Sequence, residues 1–310
     1  MEGLFILLLA VVIDILFGEP PRVIHPVVWT GKLISFWQRF APVRRGWPQL
    51  VYGAVMVLLT IFAFASLAYF LLFYVGKISL VAYIIIGALL LKSVFSFREL
   101  RKIALEIKVL LASDNLKEAR TKLPGLVSRE TRALGKPALV SATVESVAEN
   151  TCDSFVAPLF YFLLLGVPGA VAYRVVNTVD AMIGYHGEYE YLGKFAARLD
   201  DILNFVPARI SGLLLLVAAY LCRRGGNRAW QVMFRDHSKT ESPNAGWPMS
   251  AVAGALEVQL EKVNCYTLGN PSNPLSPWII ASGIRLVEVS ALLWVSLCLM
   301  MEVTHFVFAA

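Results

Sequence analysis

Apolar residues run along this chain in long blocks separated by short polar stretches. From Val51 to Val75 no residue is charged. Ile78 to Leu91 is a second such block, reaching Phe97 if Lys92 snorkels to a headgroup layer. A helix needs about 20 apolar residues to cross a bilayer, and the first block exceeds that. Shorter apolar cores at Ile210–Cys222 and Val289–Met301 are extended by polar flanks, and Met1–Phe17 is interrupted by Asp14. Basic residues do not precede that first segment and no small-residue cleavage site follows it, so it reads as a retained span rather than a signal peptide. The pattern predicts an all-α, polytopic helical membrane protein forming a single integral membrane domain over 1–310. Its spans fall near 3–17, 51–75, 78–97, 155–176, 205–222 and 284–303.

Elsewhere the period changes. Between Arg98 and Arg120, Leu100, Ile103, Ala104, Ile107, Leu110 and Leu111 recur at helical spacing with charges between them, predicting an amphipathic helix on the membrane surface or against a partner helix. Leu123-Pro124-Gly125 ends it, and a further helix is predicted over Ala138–Asn150. Phe155–Gly166 is too short to cross alone, and Val167-Pro168-Gly169 interrupts it before Ala170–Val176 resumes. A kinked span and a re-entrant hairpin both fit. The hairpin, which keeps the flanking polar residues at one face, is preferred.

Composition agrees: charged residues are 16% of the chain and mean hydropathy is +0.65, against about 25% charged in soluble domains. Arg22, Lys32, Arg39, Arg44 and Arg45 lie between the first two blocks and only Lys77 between the second and third. The positive-inside rule therefore places the first loop in the cytosol. If the 155–176 hairpin does not cross while 205–222 does, Arg223, Arg224, Arg228 and Arg235 fall outside, against that rule. No basic stripe with interleaved aromatics points to nucleic acid. The four cysteines have no paired spacing and read as packing residues.

Polar residues gather in a few clusters. Glu145, Glu149 and Asp153 fall at i, i+4 and i+8, where three carboxylates on one helix face repel. A divalent cation with phosphate oxygens relieves that repulsion; a solvated acidic face or arginine salt bridges are the alternatives. Arg174, Asn177 and Asp180 follow an apolar helix at one-turn spacing, suited to a phosphate or carboxylate or simply to anchoring the helix end. Arg198, Asp200, Asp201, Asn204 and Arg209 form a third group in which the adjacent aspartates point about 100° apart, so only one faces a given ligand. Ser242-Pro243-Asn244-Ala245-Gly246-Trp247-Pro248 is dense in turn-forming residues and reads as a loop shaped against a ligand, or as a helix cap before Met249. Asp14 inside an apolar helix is a further functional candidate unless an arginine on another span neutralises it. No phosphate-binding glycine loop, dinucleotide fingerprint or zinc-protease motif is present.

In this order the clusters resemble the CobD/CbiB family, the adenosylcobinamide-phosphate synthases of cobalamin biosynthesis. The resemblance rests on the turn from Asp14 to Pro26, Glu145-Ser-Val-Ala-Glu-Asn150 with Asp153 and Ala157-Pro158-Leu159-Phe160, and Tyr173-Arg-Val-Val-Asn-Thr-Val-Asp180 with Gly184-Tyr185. It continues through Ala197-Arg-Leu-Asp-Asp201 with Asn204 and Pro207-Ala-Arg209, then Ser242 to Pro248 with Ala253-Gly-Ala-Leu256. Ser141 stands where that pattern has a basic residue, and Glu261-Lys262 where it has glycines. The resemblance implies a multi-pass protein of the cell membrane, its active site reached from the cytosol. It also implies an ATP-dependent, amide-forming ligase that joins the propionate of adenosylcobyric acid to aminopropanol phosphate or aminopropanol. ATP and Mg²⁺ are the expected cofactors, later corrinoid-pathway enzymes expected partners. Glu145, Glu149 and Asp153 are then expected on Mg²⁺, and Asp180 with Asp200 or Asp201 as further ligands or base. Arg174, Asn177, Arg198, Asn204 and Arg209 are expected on phosphates or the propionate, and Ser242 and Asn244 in the corrin or aminoalcohol pocket. A membrane sensor on the same scaffold is the alternative, although a sensor has no need of the whole acidic and basic set. A transporter is a third class, and the inverted repeats common there are absent.

Overall fold

The computed structural model describes every residue except Arg22, Ile24, Ser128, His186, Glu188 and Ala310, so Arg22 of the first basic loop lies outside the described residues. The fold class stands: the chain is a succession of helices with one small hairpin. The helices are α1 (Glu2–Phe17), α2 (Pro26–Gln38), α3 (Trp47–Ile78), α4 (Leu80–Lys92), α5 (Phe97–Ala112), α6 (Leu116–Lys122) and α7 (Lys136–Thr151). After a π-helical turn at Cys152–Val156 come α8 (Ala157–Ile183), α9 (Lys194–Leu203), α10 (Phe205–Leu221), α11 (Gly226–Asp236), α12 (Gly246–Leu256) and α13 (Pro277–Ala309). β1 (Gln259–Lys262) pairs antiparallel with β2 (Tyr266–Gly269), Gln259 opposite Gly269.

Among the described residues four helical runs are long and apolar enough to cross a membrane: Trp47–Ile78, Leu80–Ala112, Lys136–Ile183 and Pro277–Phe308. One face of α3 turns apolar side chains outward, Phe62 at 70% and Leu67 at 61% exposure, as expected of a surface that lipid covers. Two expected spans are shorter than a bilayer core. The 16 residues of α1 extend about 24 Å and the 17 of α10 about 26 Å, against a hydrocarbon core of about 30 Å. Joined to α9 across a 48° bend, α10 passes the same test of length and composition.

The Lys136–Ile183 run is not one rod. Gly166 has φ +68°, a region open to glycine, and Pro168 follows within α8. Tyr161 and Tyr173 stack with ring centroids 5.2 Å apart, whereas twelve residues of straight helix separate by about 18 Å. The two arms of α8 therefore fold back on each other as a helical hairpin, the arrangement preferred from sequence.

The sequence shows no internal boundary and reads as a single domain. The chain nonetheless packs as two compact units, each built from separate stretches. The first comprises Met1–Ser96, Ala157–Leu203 and Leu297–Ala310. In it Ser79, in extended conformation, ends α3 and caps α4 by accepting the Ala82 N–H, turning the chain so that α3 and α4 pack together. Its core gathers Ile34, Met56, Val57, Val179, Ile183 and Leu192. Gly53 admits the close approach: a Cβ there would sit 2.1 Å from the Leu192 carbonyl oxygen.

The second unit comprises Phe97–Val156 and Asn204–Ser296. Its core joins α5, α7, α10, α11 and α12. The amphipathic segment predicted over 98–120 divides in two, because Asp114 adopts φ +56° and Asn115 starts α6 by accepting the Glu118 N–H. The stripe Leu100, Ala104, Ile107 and Leu111 is buried in this core, so α5 packs on protein.

Candidate functional site

In the second unit Glu145 is 3% exposed on α7, and both its carboxylate oxygens are engaged. Ser141, one turn earlier, donates to Oε1 at 2.5 Å. Arg129 and the Tyr266 hydroxyl donate to Oε2 at 3.0 and 2.8 Å. Burial, reinforced by the Glu145 charge, raises the Tyr266 phenol far above its ordinary value and keeps it a donor. Ser141 Oγ also accepts the Glu261 N–H at 2.8 Å, so the two departures from the family pattern meet in space. Beside them opens a groove of about 600 Å³ walled by Pro137, Ala138, Ser141, Gln259, Glu261 and Asn273, a size usual for small-molecule sites.

The other two carboxylates of the acidic trio, Glu149 and Asp153, are half-buried. The π-turn at Cys152–Val156 interrupts the spacing that an unbroken α-helix gives Asp153. Among the described residues no three His, Cys, Asp or Glu side chains converge where an ion could sit. The trio is thus not a ready-made cage. Mg²⁺ arriving with a nucleotide needs only one or two carboxylates beside phosphate oxygens, and Glu149 and Asp153 fit that requirement.

The Ser242–Pro248 loop lies in the same unit. Arg209 of α10 donates to the Phe205 carbonyl at 2.6 Å and to Asn244 Oδ1 at 3.2 Å, its guanidinium 3.6 Å from the Phe205 ring centroid and 4.9 Å from that of Trp247. Ser242 Oγ accepts the Asn244 N–H within the loop, and neither residue caps α12, whose N-cap Ala245 makes no side-chain bond. His237 stacks on Trp247 at 4.1 Å; burial and the Arg209 charge lower its pKa. The adjacent Asp236 is fully buried and takes Arg235 through both oxygens, Lys239 at 2.6 Å and the Gly269 N–H at 2.8 Å. Burial pulls its carboxyl upward, but these donors override it and hold it at about 2. Asn204, 2% exposed, accepts a contact from the Cys152 thiol at 3.7 Å.

The remaining expected residues belong to the first unit. Arg174 donates to Asn177 Oδ1 at 3.1 Å, and Asn177 Nδ2 to Asp200 Oδ1 at 3.4 Å, linking the second arm of α8 to α9. Asp201 points instead to Arg198 on its own helix, 3.8 Å away, and that arginine is exposed. Asp200 thus reaches α8 through Asn177. Asp180 sits one turn before Gly184, whose N–H it accepts through its carbonyl at 2.7 Å.

Lys92 departs most from expectation. It does not snorkel: it is 2% exposed, with Nζ 3.1 Å from Asp14, 2.9 Å from Glu19 and 3.2 Å from the Phe95 carbonyl. Asp14 thus has this lysine on α4 as a partner. Glu19 Oε2 accepts from His25 Nε2 at 2.8 Å; the proton is on Nε2 because Nδ1 accepts the Val27 N–H that caps α2. Burial pushes Glu19 upward, yet the bond to His25 and the Lys92 charge carry it down to about 2.

Comparison with known proteins adds the family context. A family model described as "CobD/Cbib protein" matches residues 7–286. The chain is 53% identical over 295 residues to a protein of Dehalococcoides mccartyi named "Cobalamin biosynthesis protein CobD", across 95% of this chain and 96% of that one. It is 41% identical over 297 residues to a "Probable cobalamin biosynthesis protein CobD" of Methanothermobacter thermautotrophicus, at 95% and 96% coverage. To the "Cobalamin biosynthesis protein CbiB" of Salmonella choleraesuis it is 37% identical over 302 residues, at 93% and 94% coverage. No solved structure matches it significantly.

Proposed function

The chain belongs to the CobD/CbiB family of cobalamin-biosynthesis proteins, and from that premise we propose that it is the amide-forming ligase of that pathway. It joins the free propionate of adenosylcobyric acid to aminopropanol phosphate or aminopropanol. The observation that carries this reading is the end-to-end match to relatives named for cobalamin biosynthesis.

A carboxylate is a poor acylating agent, so ATP first transfers its γ-phosphoryl group to a propionate oxygen, releasing ADP. The amine then attacks the acyl carbon, the C–N bond forms, and phosphate leaves with the C–O electron pair. The ammonium loses two protons on the way to the amide, one to the departing phosphate and one to a base. Mg²⁺ supplies neutralisation of phosphate charge. In the second unit Glu149 and Asp153 are the carboxylates assigned to the Mg²⁺–nucleotide. Glu145, occupied by Ser141, Arg129 and Tyr266, positions α7 against the β-hairpin. Arg209 holds the loop on which Ser242 and Asn244 meet substrate, and the buried Asn204 is assigned to the same substrate role. In the first unit Asp180 and Asp200 are the candidate bases, with Asp201 behind them; Arg174, Asn177 and Arg198 are the anion-binding groups.

The test is isotopic. With ¹⁸O in the adenosylcobyric acid propionate, the acyl-phosphate route delivers one label to inorganic phosphate for each amide formed. Label-free phosphate alongside amide product rules that route out. Glu149→Ala turning over at the wild-type rate in folded protein removes Glu149 from the nucleotide site.

A further inference from the structure

Between Phe97 and Lys136 the chain carries a dense run of ten cations, seven of them engaged. Arg101 pairs with Glu288 at 2.5 Å, Lys102 with Glu99 at 3.5 Å, Lys122 with Glu106 at 2.8 Å and Arg129 with Glu145 at 3.0 Å. Lys136 pairs with Asp114, Lys108 lies 4.5 Å from the Trp278 ring centroid, and Arg98 is engaged as well. Three cations in this stretch have neither an acidic nor an aromatic partner among the described residues: Lys117, Arg120 and Arg132. All three line the same cavity, of about 440 Å³, together with Thr121, Pro124 and Thr131.

The cavity is held in shape by its own backbone contacts. Arg120 Nε donates to the Leu134 carbonyl at 3.0 Å, and the buried Thr131 hydroxyl donates to the Arg120 carbonyl at 2.8 Å. These bonds staple α6 to the 131–134 loop. No carboxylate lines the hollow. Among the acids adjacent in sequence or on α5, Glu118 accepts from Asn115 at 2.8 Å, Glu106 is taken by Lys122, and Glu130 is exposed and outside the lining. A fixed hollow with three uncompensated cations and no anion favours a ligand carrying concentrated negative charge and several acceptor oxygens.

We infer that the Lys117–Arg120–Arg132 hollow is a phosphate-binding site, separate from the residues given roles in the ligase. The phosphate belongs either to a soluble polyphosphate or to an anionic lipid headgroup, and the two sources are distinguished by experiment. Full-length protein in phosphatidylcholine nanodiscs is titrated calorimetrically with pyrophosphate. In parallel, protein from mixed nanodiscs is analysed by native mass spectrometry for retained phosphatidylglycerol. The variant is Lys117→Gln with Arg132→Gln, both exposed, sparing the stapling Arg120. The control is Arg44→Gln with Arg45→Gln, which removes the same charge from another exposed stretch.

Pyrophosphate binding that weakens about tenfold in the first variant and not in the control supports the site, with a soluble ligand. Loss of phosphatidylglycerol retention in the first variant alone supports it with a lipid ligand. Equal weakening in both variants, or no binding of either probe to the parent protein, overturns it.

Discussion

Replacing Lys92 by Met tests the reading of the first unit most sharply. Its ammonium lies 3.1 Å from Asp14, itself 2% exposed, and also holds Glu19 at 2.9 Å. Removing one member of a buried pair leaves the other uncompensated, a loss of about 3–5 kcal/mol, whereas exchanging both for apolar groups is often close to neutral. Lys92→Met is therefore expected to destabilise by about 3–5 kcal/mol. Lys92→Met combined with Asp14→Leu recovers most of that, since Glu19 keeps His25. Denaturant unfolding in mild detergent, followed by tryptophan fluorescence, measures both, and the double-mutant cycle isolates the coupling. A snorkelling lysine predicts almost no loss on exchange for Met. A single variant within about 1 kcal/mol of the parent, or additive singles, refutes the buried cluster.

Three further outcomes follow from particular contacts. Tyr266→Phe removes one of the donors to Glu145 and should destabilise by about 1.5–3 kcal/mol in the same unfolding assay. Asp236 is held at about 2 against an ordinary 3.8, so its contribution, about 2 kcal/mol, is fully present above about pH 4 and is lost as pH falls toward 2. Asp236→Asn should flatten the pH dependence of unfolding across that window. Cysteines at Tyr161 and Tyr173 should be joined by a short bis-maleimide cross-linker of about 8 Å reach, identified by peptide mass spectrometry; a straight α8, about 18 Å between them, leaves them unlinked.

The hydrophobic blocks announced the long helices because the bilayer solvent imposes a length and composition that few soluble segments meet. A break at Val167-Pro168-Gly169 was equally legible, one residue from the positive φ at Gly166, since backbone freedom and a missing donor are properties of single residues. What stayed hidden was pairing at a distance. Lys92 ends an apolar block, so its local sequence suited snorkelling, and only the packing of α1 on α4 brings it to Asp14. Arg129 carried no signal, sitting in an irregular stretch among other basic residues. Spacing predicted one acidic face over Glu145, Glu149 and Asp153, but a π-turn leaves no mark in the spacing itself. The conflict over Arg223 and Arg224 turns on whether Ile210–Cys222 crosses, and joined to α9 that helix is long and apolar enough to do so. Leu214, Leu215 and Leu216 of α10 are buried in the second unit, which packs α10 against α11 and α12. Two compact units built from interleaved stretches show no composition shift at their boundaries, so the division leaves no mark in the sequence.

The ligase assignment is tested most directly by turnover of the purified protein in nanodiscs supplied with adenosylcobyric acid, Mg²⁺–ATP and aminopropanol phosphate, with free aminopropanol in a parallel reaction. Corrinoid products are resolved by mass spectrometry. The account predicts an ATP-dependent product heavier by the amine less one water. Folded protein that binds the corrinoid yet yields no amide with either amine contradicts it.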